Sequence, residues 1–268
     1  MAHVDTTWHL DARPVVMFFL ALILDFAAIA LLLLFLIKLD HGAKASASDI
    51  AIIFAMSVPA VIIAALVEPL IIPNLNPTSN LLGLATFLSV GIVEESVKSI
   101  PVLILIWKRR FFRDYTGGII YFALSGQAFS LLEDLGYLVG HGGKVGVFRI
   151  LLDPFFHATT CAVFGFTVAH VKLGRGKPWV LIGGFSAGVI MHCMYDFLIS
   201  SPSTPVILLG LLLGVSSYAM IISLYFYARR LDERLGLAWR RKNNFCRSCG
   251  SPNPRHLLFC TACGTKYQ

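Results

Sequence analysis

Four apolar stretches of this 268-residue chain carry ionisable side chains that could do chemistry together. Glu94, Glu95 and Lys98 lie in Gly-Ile-Val-Glu-Glu-Ser-Val-Lys-Ser. Glu133 and Asp134 follow Phe129-Ser-Leu-Leu, Asp153 and His157 share a third stretch, and His192 and Asp196 a fourth. Burying any one of these in hydrocarbon is costly, so such groups face a bundle interior or a water-filled cavity. Acids and imidazoles from four helices suit acid–base hydrolysis, metal ligation or proton relay. Glu94 and Lys98 stand four residues apart on one helix face, so the lysine can partly neutralise and position the carboxylate. Glu94 and Glu95 point about 100° apart, which predicts that one faces the centre while the other meets a neighbouring helix. His192 and Asp196 are again four apart, and the carboxylate can fix the imidazole tautomer.

The elements that must position these groups follow from composition. Hydrophobic residues make up 57% of the chain and charged residues 14%, with a mean hydropathy of +0.76. A soluble domain carries roughly 25% charged residues, and this chain could not cover a soluble surface with so few. A helix crosses the hydrocarbon core with about 20 apolar residues, and seven segments qualify: 14–37, 49–72, 81–107, 117–139, 149–171, 179–199 and 206–228. The fold class expected is an all-α polytopic membrane protein, a seven-helix transmembrane bundle with a small C-terminal zinc ribbon. The first segment lacks a basic flank and is too long for a signal-peptide core, so it reads as a retained span. A β-barrel is excluded by the lack of polar alternation.

Charge placement predicts orientation. Of 22 Lys and Arg, 18 fall on one side of a seven-span layout, from Lys38 and Lys44 to the nine between Arg229 and Lys266. Three fall on the other side (Arg13, Lys144, Arg149) and Lys98 lies inside a span. The rich side is cytoplasmic by the positive-inside rule, which puts the N-terminus outside and the C-terminus in the cytoplasm. The net charge of +7 is thereby a topology signal, and the partner it implies is the lipid bilayer and no nucleic acid. In this layout Glu133, His157 and His192 converge on one layer of the outer half of the bilayer. Glu94 joins them only if its long segment begins, in effect, nearer Phe87.

Residues 1–230 are expected to form the membrane domain, 231–244 a basic linker and 245–268 the tail. The tail holds Cys246, Cys249, Cys260 and Cys263 as two CxxC pairs, with Gly250 and Gly264 directly after them. Each CxxC points two thiolates at one ion, so a closed structural Zn²⁺ site is expected. A reducing cytoplasmic location argues against disulfides. Cys161 and Cys193 read as small packing residues inside spans.

The ordered set Glu94-Glu95-x-x-Lys98, Phe129-x-x-x-Glu133 and His192-x-x-x-Asp196 resembles the PrsW family of intramembrane proteases, itself similar to the ABI-type CAAX prenyl endopeptidases and, more distantly, to the Aph-type subunit of γ-secretase. The resemblance covers roughly residues 80–200, and His157 sits where the family tends to carry a further histidine. It implies hydrolysis of a peptide bond in a membrane-anchored protein, such as a single-pass anti-sigma-factor-like substrate, in a prokaryotic cell membrane. It also implies the catalytic set Glu94, Glu95, Glu133, His157, His192 and Asp196, supported by Lys98 and Phe129.

Two mechanisms stay open on the residues. In one, Glu94 is the general base, Glu133 helps hold the water, and His192, oriented by Asp196, stabilises the oxyanion. In the other, Glu133, His157 and His192 ligate a second Zn²⁺ and Glu94 is the base. Glu133 stands where the ABI enzymes place a histidine, so their mechanism does not transfer directly. Lys98 reads as a counter-ion, Asp25 and Glu68 as packing or interface residues, Asp134 as a group beside the cluster and Asp153 as a helix-start acid. Gly184-xxx-Gly188, Gly136-xxx-Gly140 and Gly210-xxx-Gly214 read as close helix contacts. A proton-coupled transporter or channel and a non-catalytic scaffold are the competing classes, with no repeat symmetry to favour transport. No Walker A or dinucleotide fingerprint is present.

Overall fold

The computed structural model of the chain describes residues 12–39, 47–71, 80–108, 114–141, 147–235, 237, 259, 260 and 263–265. Among these residues there are seven helices: α1 (Ala12–Leu39), α2 (Ala47–Ile71), α3 (Asn80–Lys108), α4 (Tyr115–His141), α5 (Val147–Lys172), α6 (Val180–Ile199) and α7 (Thr204–Arg234). Four contain stretches long and apolar enough to cross a membrane: Ser48–Ile71, Arg149–Lys172, Val180–Ile199 and Thr204–Arg234. An apolar run without water to solvate its backbone satisfies every N–H and C=O internally only as a helix, which is why these sequences fold as they do. Their outer faces carry exposed Leu66, Leu70, Ile182 and Leu212, a surface suited to lipid and costly in water.

α3 and α4 are of comparable length, 29 and 27 residues, and carry charged side chains within their apolar runs, for a reason visible in the packing. Every residue from Asp114 to Ser130 is buried by protein, so α4 is wrapped by its neighbours and need not be lipid-compatible there. Its polar side chains tie helices together instead. Ser125 donates to the Lys98 carbonyl at 2.5 Å and Gln127 Nε2 donates to the Ile29 carbonyl of α1 at 2.6 Å.

The start of α4 is closed by two carboxylates. Asp232 of α7 accepts from the Tyr115 N–H at 2.8 Å and the Thr116 N–H at 3.0 Å, while Asp114 accepts from the Gly117 N–H at 2.7 Å. These are the orphan donors of a helix N-terminus. α7 therefore continues past the expected end at 228, and Asp232, assigned by sequence to the linker, belongs to the bundle.

α4 and α5 make the closest approach in the bundle. A Cβ on Gly118 would lie 2.7 Å from the Gly165 carbonyl oxygen, and one on Gly126 would collide with the His157 carbonyl oxygen. Of the three expected glycine pairs, Gly184 packs on Thr167, Gly188 on Thr160, Gly210 on Leu198 and Ile199, and Gly214 on Leu152 and Tyr195. A Cβ on Gly136 would meet nothing within 4 Å among the described residues, because Gly136 lines a cavity rather than a helix contact. Because Gly126 seats His157 against α4, Gly126→Ala should destabilise the bundle by about 1–3 kcal/mol, the usual cost of overpacking. Thermal unfolding in detergent measures this, and an unchanged melting temperature would contradict the close packing.

Candidate active site

α3, α4, α5 and α6 bring all eight expected bundle residues into one cluster, six of them buried and Glu133 and Asp196 half-buried. Gly91 allows α3 to approach α6, since a Cβ there would lie 3.1 Å from the Val189 carbonyl oxygen, and Gly188 places α6 beside Glu95 and Thr160. Phe87 packs edge-on against Phe197, centroids 6.3 Å apart, close to the end of α6. Glu94 arrives at the level of the histidines, its Oε2 3.4 Å from His192 Nε2.

The centre is the Lys98 ammonium, 1% exposed. Its Nζ lies 2.8 Å from Glu94 Oε2, 3.1 Å from Glu95 Oε1, 2.7 Å from His157 Nδ1 and 3.4 Å from His192 Nδ1. It also stands 4.6 Å above the Phe129 ring, a cation–π contact that accounts for the aromatic in that motif. His157 Nδ1 thus faces the ammonium, and its Nε2 lies 3.2 Å from Glu133 Oε2, an oxygen with no hydrogen-bond partner among the described residues.

His192 is held from both sides. Its Nδ1 is 2.9 Å from Glu95 Oε1, and its Nε2 is 3.4 Å from Glu94 Oε2 and 3.2 Å from Asp196 Oδ2. The expected division between Glu94 and Glu95 is therefore not observed. Side-chain length lets both carboxylates reach one imidazole from different directions, and Glu95 meets the neighbouring helix as well, accepting from Thr160 Oγ1 at 3.1 Å. Cys161 lies beside it, Sγ to Glu95 Oε2 3.8 Å, and Cys193 Sγ faces the Leu84 carbonyl.

Ligand-type atoms of Glu94, His157 and His192 all fall within 4.8 Å of one another. The carboxylate grouped with the two imidazoles is thus Glu94, where the sequence reading placed Glu133. One carboxylate and two imidazoles are the donor set of hydrolytic zinc enzymes, and here they already surround a cation, the Lys98 ammonium. By donor chemistry these residues fit a catalytic metal.

A cavity of about 820 Å³ opens beside the cluster, with Glu94, Glu133, Asp196, Glu68, Tyr137 and Arg149 in its wall. Glu68, read from sequence as a packing residue, faces this space, and its Oε1 has no hydrogen-bond partner among the described residues. Asp25 is fully buried with both oxygens unpartnered among the described residues. Asp153, read from sequence as a helix-start acid, is 2% exposed and accepts from Tyr195 Oη at 3.0 Å.

Residues 46–227 match the PrsW family intramembrane metalloproteases. The chain belongs to this family. It is 32% identical over 120 residues to Protease PrsW of Bacillus subtilis (strain 168), a stretch covering 44% of this chain and 55% of that protein. Over 114 residues it is 29% identical to Protease PrsW of Geobacillus kaustophilus (strain HTA426), covering 42% and 51%. The chain therefore spans about half the length of the curated relatives it matches, and no solved structure matches it. The PrsW match takes in α2 to α6 and most of α7, so the whole cluster lies within it.

Sequence reasoning passed over Arg149, Tyr137, Tyr195 and Thr160. Arg149 counted only as a loop charge. The signal that could have found it was its spacing of four from Asp153 at the start of an apolar helix. In the tail, Cys246 and Cys249 lie outside the described residues. Cys260 is buried and Cys263 exposed. The Gly264 N–H donates to the Cys260 carbonyl at 2.8 Å with Gly264 at φ +72°, a tight turn of the kind a glycine after CxxC permits.

Proposed function

We propose that the chain is a metal-dependent intramembrane endopeptidase that hydrolyses a peptide bond of a membrane-anchored protein. The observation that carries this is the close grouping of Glu94, His157 and His192, with Glu94 and Glu133 both in the wall of the adjoining cavity. Glu94, His157 and His192 would hold the metal, and the roles of Glu94 and Glu133 given by the sequence reading exchange. Bound there, zinc would supply an acidified water and polarisation of the scissile carbonyl.

The chain's own residues do the rest. Glu133 faces the cavity and takes the water's proton at Oε2, the oxygen left without a hydrogen-bond partner among the described residues; it then returns that proton to the leaving amine. Glu95 and Asp196 fix the ring of His192, and Thr160 fixes Glu95. Lys98 offsets the negative charge of the paired glutamates. The apolar remainder of the wall, including Phe87, Val90 and Leu132, suits a stretch of transmembrane substrate and limits water near the bond.

The four tail cysteines are proposed to hold a structural zinc, supported by the Cys260–Gly264 turn. We place the N-terminus outside and the tail in the cytoplasm on the distribution of Lys and Arg, with all seven helices crossing a prokaryotic cell membrane. The substrate class that fits is a single-pass protein of the anti-sigma-factor type.

Purified full chain co-reconstituted in liposomes with a single-pass substrate should cleave it. Treatment with a strong chelator should stop cleavage, and added zinc should restore it. No cleavage, together with proton flux across the same liposomes, would favour a transporter instead.

A further inference from the structure

We propose that Arg149 is a positioning residue for Glu133, a clamp that decides which oxygen of that carboxylate is free for the reaction. The proposal rests on the peptidase reading above and adds a residue outside the motifs that suggested it.

Arg149 stands in the first turn of α5 and reaches back to α4. Its Nη2 lies 2.5 Å from Glu133 Oε1, and its Nε lies 3.1 Å from both Asp134 Oδ1 and Asp153 Oδ2. The guanidinium carbon sits 3.9 Å over the Tyr137 ring. Asp153 is held in turn by Tyr195 of α6, and Asp134 lies 3.4 Å from Ser130 Oγ. The guanidinium is thus fixed in position by two buried aspartates and an aromatic face, with its remaining edge presented to Glu133.

The two oxygens of Glu133 consequently have different partners. Oε1 meets Arg149, and Oε2 meets His157 Nε2 at 3.2 Å. A carboxylate anchored at one oxygen keeps the other aimed at the histidine and the cavity, without spending its freedom on each turnover. One cation is shared by three acids, so Glu133 is oriented without being fully neutralised. A planar, forked cation is needed for this, because an ammonium offers no fixed plane to three carboxylates. A purely structural ion pair would have been complete with Asp134 and Asp153 alone. Arg149 instead also lines the cavity, with 29% of its side chain exposed there.

The test uses the full chain reconstituted with a single-pass substrate. Arg149→Met should lower kcat by about 10²-fold, the scale of a misaligned reacting group, with KM nearly unchanged and the metal content of the wild type. Arg149→Lys should recover part of that loss. In a Glu133→Gln background, Arg149→Met should cost almost nothing further, because the residue it positions no longer acts. If Arg149→Met does not fold, Tyr137→Leu removes the ring beneath the guanidinium and should lower kcat in the same sense, again with KM unchanged. An undiminished kcat, a raised KM with kcat preserved, or the same fold-loss in the Glu133→Gln background would overturn the clamp alone. Wild-type activity in Glu133→Gln would overturn both the clamp and the base assignment it rests on.

Discussion

Glu94→Gln is expected to reduce cleavage by about 10³-fold or more, the range over which acid–base and electrostatic partners act. The substitution keeps shape and volume, so the bundle should still fold; it removes charge at the place where Glu94 Oε2 meets both Lys98 and His192. Glu94 belongs to the carboxylate–imidazole group and also lines the cavity, a combination neither histidine shares among the lining residues. A metal held there loses its anionic donor. Lys98 keeps Glu95 as a partner, which limits the structural damage. Cleavage of the co-reconstituted substrate, beside a melting curve in detergent, measures both effects. Activity at the wild-type level would remove Glu94 from the mechanism.

Glu133→Gln is expected to reduce kcat by about 10² to 10⁴-fold, the contribution of a positioned proton acceptor. Its amide can still meet His157 and Arg149 but cannot take a proton from water. In contrast to Glu94→Gln, metal content should be unchanged, since Glu133 stands outside the Glu94–His157–His192 group. A variant that keeps wild-type kcat would show that the proton goes elsewhere, Glu94 and Asp196 being the other cavity-facing carboxylates of the cluster.

Much of this site was legible in the sequence, because charges in apolar helices have few places to go. Spacings of four placed Glu94 with Lys98 and His192 with Asp196, and both pairs are in contact. The order of motifs along antiparallel helices was enough to bring Glu133 and His157 to one level. What periodicity could not supply was lateral reach. A 100° separation on a helix describes Cβ directions, whereas a glutamate side chain extends far enough for Glu94 and Glu95 to meet the same imidazole. The same limit hid the contact of Glu94 with His192, which depends on how closely α3 approaches α6.

The clamp escaped for a different reason. Arg149 sits at a helix start, where a cation is ordinarily read as an interfacial charge, and only the inward turn of α5 over Tyr137 reveals its three carboxylates. The α4–α5 seam was likewise missed. Gly118 and Gly126 are on α4 and their counterparts on α5, so no small-xxx-small spacing within one helix announces them. Gly136-xxx-Gly140 had the right spacing, and Gly136 proved to border open space. Helix content was easy to read because apolar runs in lipid have one way to satisfy their backbones; the charges within α3 and α4 follow from the cluster they build.

Metal content per chain in the purified full-length protein and its Glu94→Gln and Glu133→Gln variants tests the central assignment most directly. The account predicts about two zinc ions in the wild type, one in the four-cysteine tail and one in the bundle. It predicts about one in Glu94→Gln and about two in Glu133→Gln, with both variants inactive. Equal metal in all three proteins, with cleavage lost in Glu94→Gln, would contradict it and make Glu94 the base of a metal-free glutamic mechanism.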